Sequence, residues 1–162
     1  MAKAIPIKPR IGPSSTIAKQ PIAIIASKFN KEYVDALIES CVGELKDLLP
    51  DALIHVARVP GAFEIPVTVK HMSNQNINFG CFIALGVIVQ GETAHGNHVG
   101  SSVSNGLMDL SISLNTPVVN EVLHVENLNQ ARVRCFEAEL NRGVEAARTA
   151  YSMLNIFENL KG

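Results

Sequence analysis

The feature that most constrains this chain is an alternation. Four short apolar, β-branched runs recur, each followed by a segment with helical spacing. The runs are PIAIIA at 21–26, ALIHVARV at 52–59, FGCFIALGVIV at 79–89 and TPVVNEVLHV at 116–125. After the first, Val34, Leu37, Ile38, Cys41, Val42, Leu45 and Leu49 return every three or four residues, with Asn30 placed to cap the helix they predict. VTVKHMS predicts a short helix, and Val99, Val103, Leu107, Leu110 and Leu114 a longer one. Beyond Glu126 two further helices are expected, with a break near Asn141 and Gly143. Strands alternating with helices require crossover connections, so the expected fold is α/β, with a four-stranded parallel sheet and helices on both faces.

Composition narrows the function classes. A net charge of −1 with 18% charged residues offers no broad basic surface to nucleic acid or to a membrane. The absence of Trp argues against a base-stacking platform. No stretch reaches the length of a membrane span, and the first twenty residues carry no apolar run of a signal peptide. Cys41, Cys81 and Cys135 sit in apolar contexts without CxxC spacing, which predicts buried thiols in a reducing, cytoplasmic compartment. Residues 1–20, rich in Pro, Gly and Ser, read as an irregular arm preceding one domain over 21–162.

Parallel sheets bind ligands beyond the carboxyl ends of their strands. The segments there are SKFN, PGAFEIP, QGETAH and HVENLN. In QGETAH, Gly91 permits close backbone approach, the amides opening the next helix favour an anion, Thr93 adds a hydroxyl, and His95 can move protons near neutral pH. That reads as a phosphate seat beside an acid/base group. The same residues also fit a plain helix start with a surface histidine, and Glu92 repels phosphate unless its side chain points away. His95 and His98 can share a helix face, but no third ligand has metal-site spacing, so no metal is expected. In PGAFEIP, Glu64 can accept from sugar hydroxyls, and the backbone of Ala62 and Phe63 can pair with a heterocycle; a tight loop ending a strand fits equally. Phe29 suits stacking on a planar ligand or covering the core. Arg134 suits phosphate or a solvated helix face.

Together, ASKFN, VPGAFEIP, ALGVIVQGETAH, NTPVV, ENLNQARVR and NRGVEAA, spread over about 21–155, resemble the lumazine synthase (6,7-dimethyl-8-ribityllumazine synthase) family. PGAFEIP and GETAH at this separation are highly specific as a pair. The resemblance implies a three-layer αβα, flavodoxin-like domain. It implies condensation of 5-amino-6-(D-ribitylamino)uracil with 3,4-dihydroxy-2-butanone 4-phosphate, the penultimate step of riboflavin biosynthesis, with no cofactor. It implies a homo-oligomer, a pentamer or a multiple of pentamers, with sites between neighbours. By position, Phe29 would stack on the pyrimidine, and Ala62, Phe63 and Glu64 would hold its ring and ribityl chain. Val87, Ile88 and Val89 would line the pocket through their backbone. Glu92 and Thr93 would seat the phosphate, His95 would transfer protons, and Arg134 would clamp the phosphate across a subunit boundary. His98 has no role in the family and reads as a surface residue.

The chain departs from the family pattern at three places. Gly96 stands where an aromatic residue usually follows the histidine. Asn120 stands where a Phe normally reaches the neighbour's substrate. Ala138 replaces a Lys, flanked by Glu137 and Glu139, while Arg142 keeps one basic position. These changes define an alternative, a non-catalytic flavin- or lumazine-binding or shell-forming paralogue; retention of His95 and Arg134 weighs against it. An unrelated flavodoxin-like nucleotide binder would need a Gly-rich loop after the first strand, and SKFN is not one.

Overall fold

The apolar run at the first strand is continuous because both of its faces are covered. In the computed structural model, which describes residues 6–9 and 17–161, β1 (Ile22–Ser27) is buried along its whole length. It lies between β2 (Ile54–Val59) and β3 (Cys81–Val89), and β4 (Val118–Val125) pairs with the other side of β3. The order is β2-β1-β3-β4 and every pair is parallel. The helices are α1 (Lys31–Leu48), α2 (Ile65–Ser73), α3 (His95–Leu114), α4 (Leu128–Phe136) and α5 (Arg142–Asn159). The α/β architecture expected from the alternation is therefore the one observed.

Side chains along β1 divide between two cores. Ile22, Ile24 and Ala26 pack with Val34, Leu37 and Leu45 of α1 and with the Ala146, Ala147 and Ala150 stripe of α5. Ala23 and Ile25 pack with Ile65 and Val69 of α2 and Val103 and Leu107 of α3. The face bearing α1, α4 and α5 also holds all three cysteines, each buried and free. Burial raises the Cys81 and Cys135 thiols to about 12 and pushes Cys41 up as well. These thiols are packing groups, not nucleophiles.

Some boundaries differ from the sequence reading. The strands expected from 52, 79 and 116 begin at Ile54, Cys81 and Val118. The residues before them still join the ladder through single bonds, such as Gly80 N–H to the Pro21 carbonyl (2.9 Å). Helix α2 starts two residues before VTVKHMS, with Pro66 in its first turn, where a missing N–H costs nothing. The break before α5 is built by Asn141. Its Oδ1 accepts from Val144 N–H (3.1 Å), and its Nδ2 donates to Ser40 Oγ and the Cys135 carbonyl (3.0 Å each). Gly143 follows because a Cβ there would lie 2.4 Å from the Leu37 carbonyl oxygen of α1. Most of the expected arm (1–5 and 10–16) lies outside the described residues; Ile17–Lys19 forms a short 3-10 turn that buries Ile17 in the core.

Candidate active site

The chain leaves β1 outward to β2 and returns past it to β3, so the strand order reverses between β1 and β3. A crevice forms at such a switch point, beyond the carboxyl ends of the strands. Here it is a cavity of about 720 Å³, lined by the segments after β1, β2 and β3 and by the first two turns of α3.

The segment after β1 is held by its own backbone. Lys28 N–H donates to the Val59 carbonyl (2.7 Å) and Phe29 N–H to the Pro60 carbonyl (3.3 Å). Asn30 sits at the N-cap of α1 but does not cap it in the expected way. Its backbone is left-handed (φ 52°), a conformation Asn tolerates, and its Nδ2 donates across the sheet to the Val87 carbonyl (2.7 Å). The side chain thus joins β1 to β3 at the cavity wall. The turn leaves the Phe29 ring 72% exposed on the cavity rim, so it does not serve as a core cover. Phe63, 62% exposed, occupies the same rim from a 3-10 turn over Ala62–Glu64. In that turn Glu64 Oε2 accepts from Gly61 N–H (2.9 Å), which fixes the carboxylate at the wall and leaves its other oxygen without that bond.

The segment after β3 carries Val87, Ile88, Val89, Gly91, Thr93 and His95 into the cavity. His95 is the first residue of α3, and its N–H approaches Thr93 Oγ1 (3.4 Å). Ala94 at the N-cap has no side-chain oxygen to satisfy the other amides of the first turn. Those amides and the helix dipole suit an anion at this end of the cavity.

Nine of the residues singled out from sequence line the cavity: Phe29, Ala62, Phe63, Glu64, Val87, Ile88, Val89, Thr93 and His95. Glu92 is exposed and lies outside the lining. Asn120 and Arg134 also lie elsewhere. Asn120 Nδ2 donates to Ser104 Oγ (3.2 Å) between β4 and α3, and Arg134 Nη1 donates to the Gln130 carbonyl (2.9 Å) within α4, on the other side of the sheet. The lining therefore holds one carboxylate and the imidazoles of His95 and His98, but no Lys or Arg among the described residues. Sequence reasoning read His98 as a surface residue, and it is exposed but also lines the cavity; Ser27 was passed over. The i,i+3 spacing of His95 and His98 already placed both on one helix face, and that face is the one turned to the cavity. Ser27 is 1% exposed at the cavity floor, and its hydroxyl has no hydrogen-bond partner among the described residues.

The fold and site define a doubly wound α/β domain with a small-molecule cavity at its switch point. The comparisons place it more narrowly. The family model for 6,7-dimethyl-8-ribityllumazine synthase matches residues 19–158. A protein named 6,7-dimethyl-8-ribityllumazine synthase from Xylella fastidiosa (strain M12) is 36% identical over 138 residues, covering 85% of this chain and 89% of the relative. Proteins of the same name from Edwardsiella ictaluri (35% over 142 residues, 86% and 90% covered) and Buchnera aphidicola subsp. Baizongia pistaciae (36% over 148 residues, 90% and 92% covered) are similar to the chain as well. The chain belongs to the 6,7-dimethyl-8-ribityllumazine synthase family.

Proposed function

We propose that this chain condenses 5-amino-6-(D-ribitylamino)uracil with 3,4-dihydroxy-2-butanone 4-phosphate to give 6,7-dimethyl-8-ribityllumazine, phosphate and two waters. The observation that carries the reading is one cavity uniting two exposed rim aromatics, a carboxylate, and a helix N-terminus bearing Thr93 and His95. The pyrimidine would stack against Phe29, with Ala62, Phe63 and Glu64 holding its ring and ribityl hydroxyls and the Val87–Val89 backbone alongside. The substrate phosphate would sit at Thr93, the Glu92 amide of the same turn and the first amides of α3.

The chemistry follows from this placement. The 5-amino nitrogen attacks the ketone, forming a C–N bond, and loss of water leaves an imine. A proton then leaves carbon and the C–O bond to phosphate breaks. The enol so formed tautomerises to a methyl ketone, the ribitylamino nitrogen closes the ring on that new carbonyl, and the second water departs. Each stage moves a proton, which suits His95, since imidazole exchanges protons near neutrality. Holding two substrates together removes much of the entropic barrier, and the helix amides stabilise the departing phosphate.

Among the described residues, the cavity lining contains no Lys or Arg for a dianionic phosphate. A homo-oligomer, a pentamer or a multiple of it, would supply Arg134 of a neighbouring copy as the clamp and Asn120 as a polar contact to the heterocycle. The exposed Met108 and Ile112 on α3 give such an assembly apolar surface to cover. The three unpaired, buried thiols fit a cytoplasmic setting. The test is product absorbance with purified protein and both substrates, corrected for uncatalysed condensation. Enzyme-dependent lumazine supports the reading. No product above background from a folded oligomer overturns it in favour of a binding or shell-forming role.

A further inference from the structure

Gly96 is unusual in the first turn of a helix that must hold the phosphate seat, and its surroundings explain it. A Cβ at Gly96 would lie 2.9 Å from Gln90 Oε1 and 3.3 Å from His124 Nε2. One turn on, a Cβ at Gly100 would rest in ordinary contact with the His124 ring at 3.6–3.7 Å. The helix gives up side chains on this face, and the His124–Gln90 pair fills the space. His124 Nε2 meets Gln90 Oε1 at 3.0 Å, from the edge strand β4 to the end of β3. The Gln90 carboxamide nitrogen donates to the Gly91 carbonyl (3.1 Å) and the Thr93 carbonyl (2.8 Å). Because that nitrogen serves two carbonyls, Oε1 is the accepting end, and His124 Nε2 must carry the proton it donates. The direction of the whole chain of bonds follows: His124 orients Gln90, and Gln90 staples the turn that carries Thr93 into His95.

We infer that Gln90 and His124 are positioning residues for the phosphate-seating turn, with Gly96 kept small so that their bond can form. Neither Gln90 nor His124 lines the cavity, so neither reaches substrate in this chain. They act on it by holding the Thr93 carbonyl, and with it the hydroxyl and amides of the same turn. The inference rests on the phosphate seat proposed above. It also accounts for the departure at Gly96 without a decaying site, because the small residue is what the relay requires.

The decisive variant is Gly96→Ala. Alanine is the better helix former, and the atom it displaces is the end of a flexible side chain, so the fold should stand while the staple breaks. In the assembled full-length protein, Gly96→Ala is expected to raise KM for the phosphate substrate roughly tenfold, with melting temperature unchanged or higher. KM for the pyrimidine should change far less. Gln90→Met and His124→Leu should do the same, and His124→Gln, which keeps a donor, should recover most of the loss. Because all act on one relay, Gln90→Met with Gly96→Ala should be no worse than Gln90→Met alone. Amide exchange at 93–95 should quicken in each damaging variant. Unaltered KM and exchange in Gly96→Ala, or fully additive effects, overturns the relay. If the unaltered protein makes no lumazine, the functional reading fails by itself, and the exchange rates at 93–95 still decide whether the staple exists.

Discussion

The two faces of the sheet are built from the same strands and serve different ends. On one, α1, α4 and α5 close over a large core with an alanine stripe and three inert thiols, and Arg148 Nε meets Glu44 Oε1 (2.8 Å) to tie α5 to α1. On the other, α2 and α3 cover a smaller core that stops short of the strand ends and opens into the cavity. Space for a ligand is thus obtained by withholding side chains. Gly91 lines the cavity with open space where a Cβ would stand, whereas Gly143 on the closed face lets two helices touch. Stability and chemistry are largely separated by a single layer of backbone.

That separation predicts opposite behaviour for substitutions on the two faces. Leu45 of α1 is fully buried on the closed face. Leu45→Ala is expected to cost about 2–5 kcal/mol in urea unfolding, with turnover per folded subunit unchanged. His95→Ala on the open face should do the reverse, lowering kcat roughly hundredfold while the urea midpoint holds. A Leu45 variant that lost turnover per folded subunit, or a His95 variant that lost stability, would show the faces to be coupled.

A subtler difference concerns pH. Glu121 of β4 lies toward the closed face. Burial, and then the nearby Glu145 carboxylate, raise it from its ordinary 4.5 to about 8, against the opposing pull of Arg142. Between those values the folded chain keeps a proton that the unfolded chain releases. Stability should therefore fall as pH rises through that window and level off above it. Glu121→Gln should flatten the slope; urea midpoints across the window would show it. The smallest effect is expected at the cavity floor. Ser27→Ala removes a buried hydroxyl without a partner, so stability should stay level or rise by about 1 kcal/mol, which thermal unfolding would register.

The same contrast governs how far the sequence could be read. The strands were legible because β1 and β3, covered on both faces, need uninterrupted apolar runs, and parallel pairing followed from the intervening helices. Less legible were features set by tertiary contact. Asn30 marked a helix start, yet its amide serves the Val87 carbonyl instead of the helix. Pro66 hid the first turn of α2 inside what read as a loop. Ser27 looked like the end of a strand, and only the neighbouring segments turn it into a cavity floor. Asn120 and Arg134 were chosen by position along the chain, and such a choice says nothing about which copy's cavity they approach.

The central claim is that one chain supplies the cavity with His95 and a neighbour supplies the cation its lining lacks. Complementation tests this most directly. His95→Ala and Arg134→Ala chains would be unfolded together, refolded as a mixture, and assayed for lumazine at limiting phosphate substrate. Each variant alone should be poorly active. The mixture should regain roughly a quarter of the unaltered rate, the share of boundaries that pair an intact His95 with a neighbour's intact Arg134. No recovery from mixed, assembled chains, or full activity of Arg134→Ala alone, would contradict a site divided between copies.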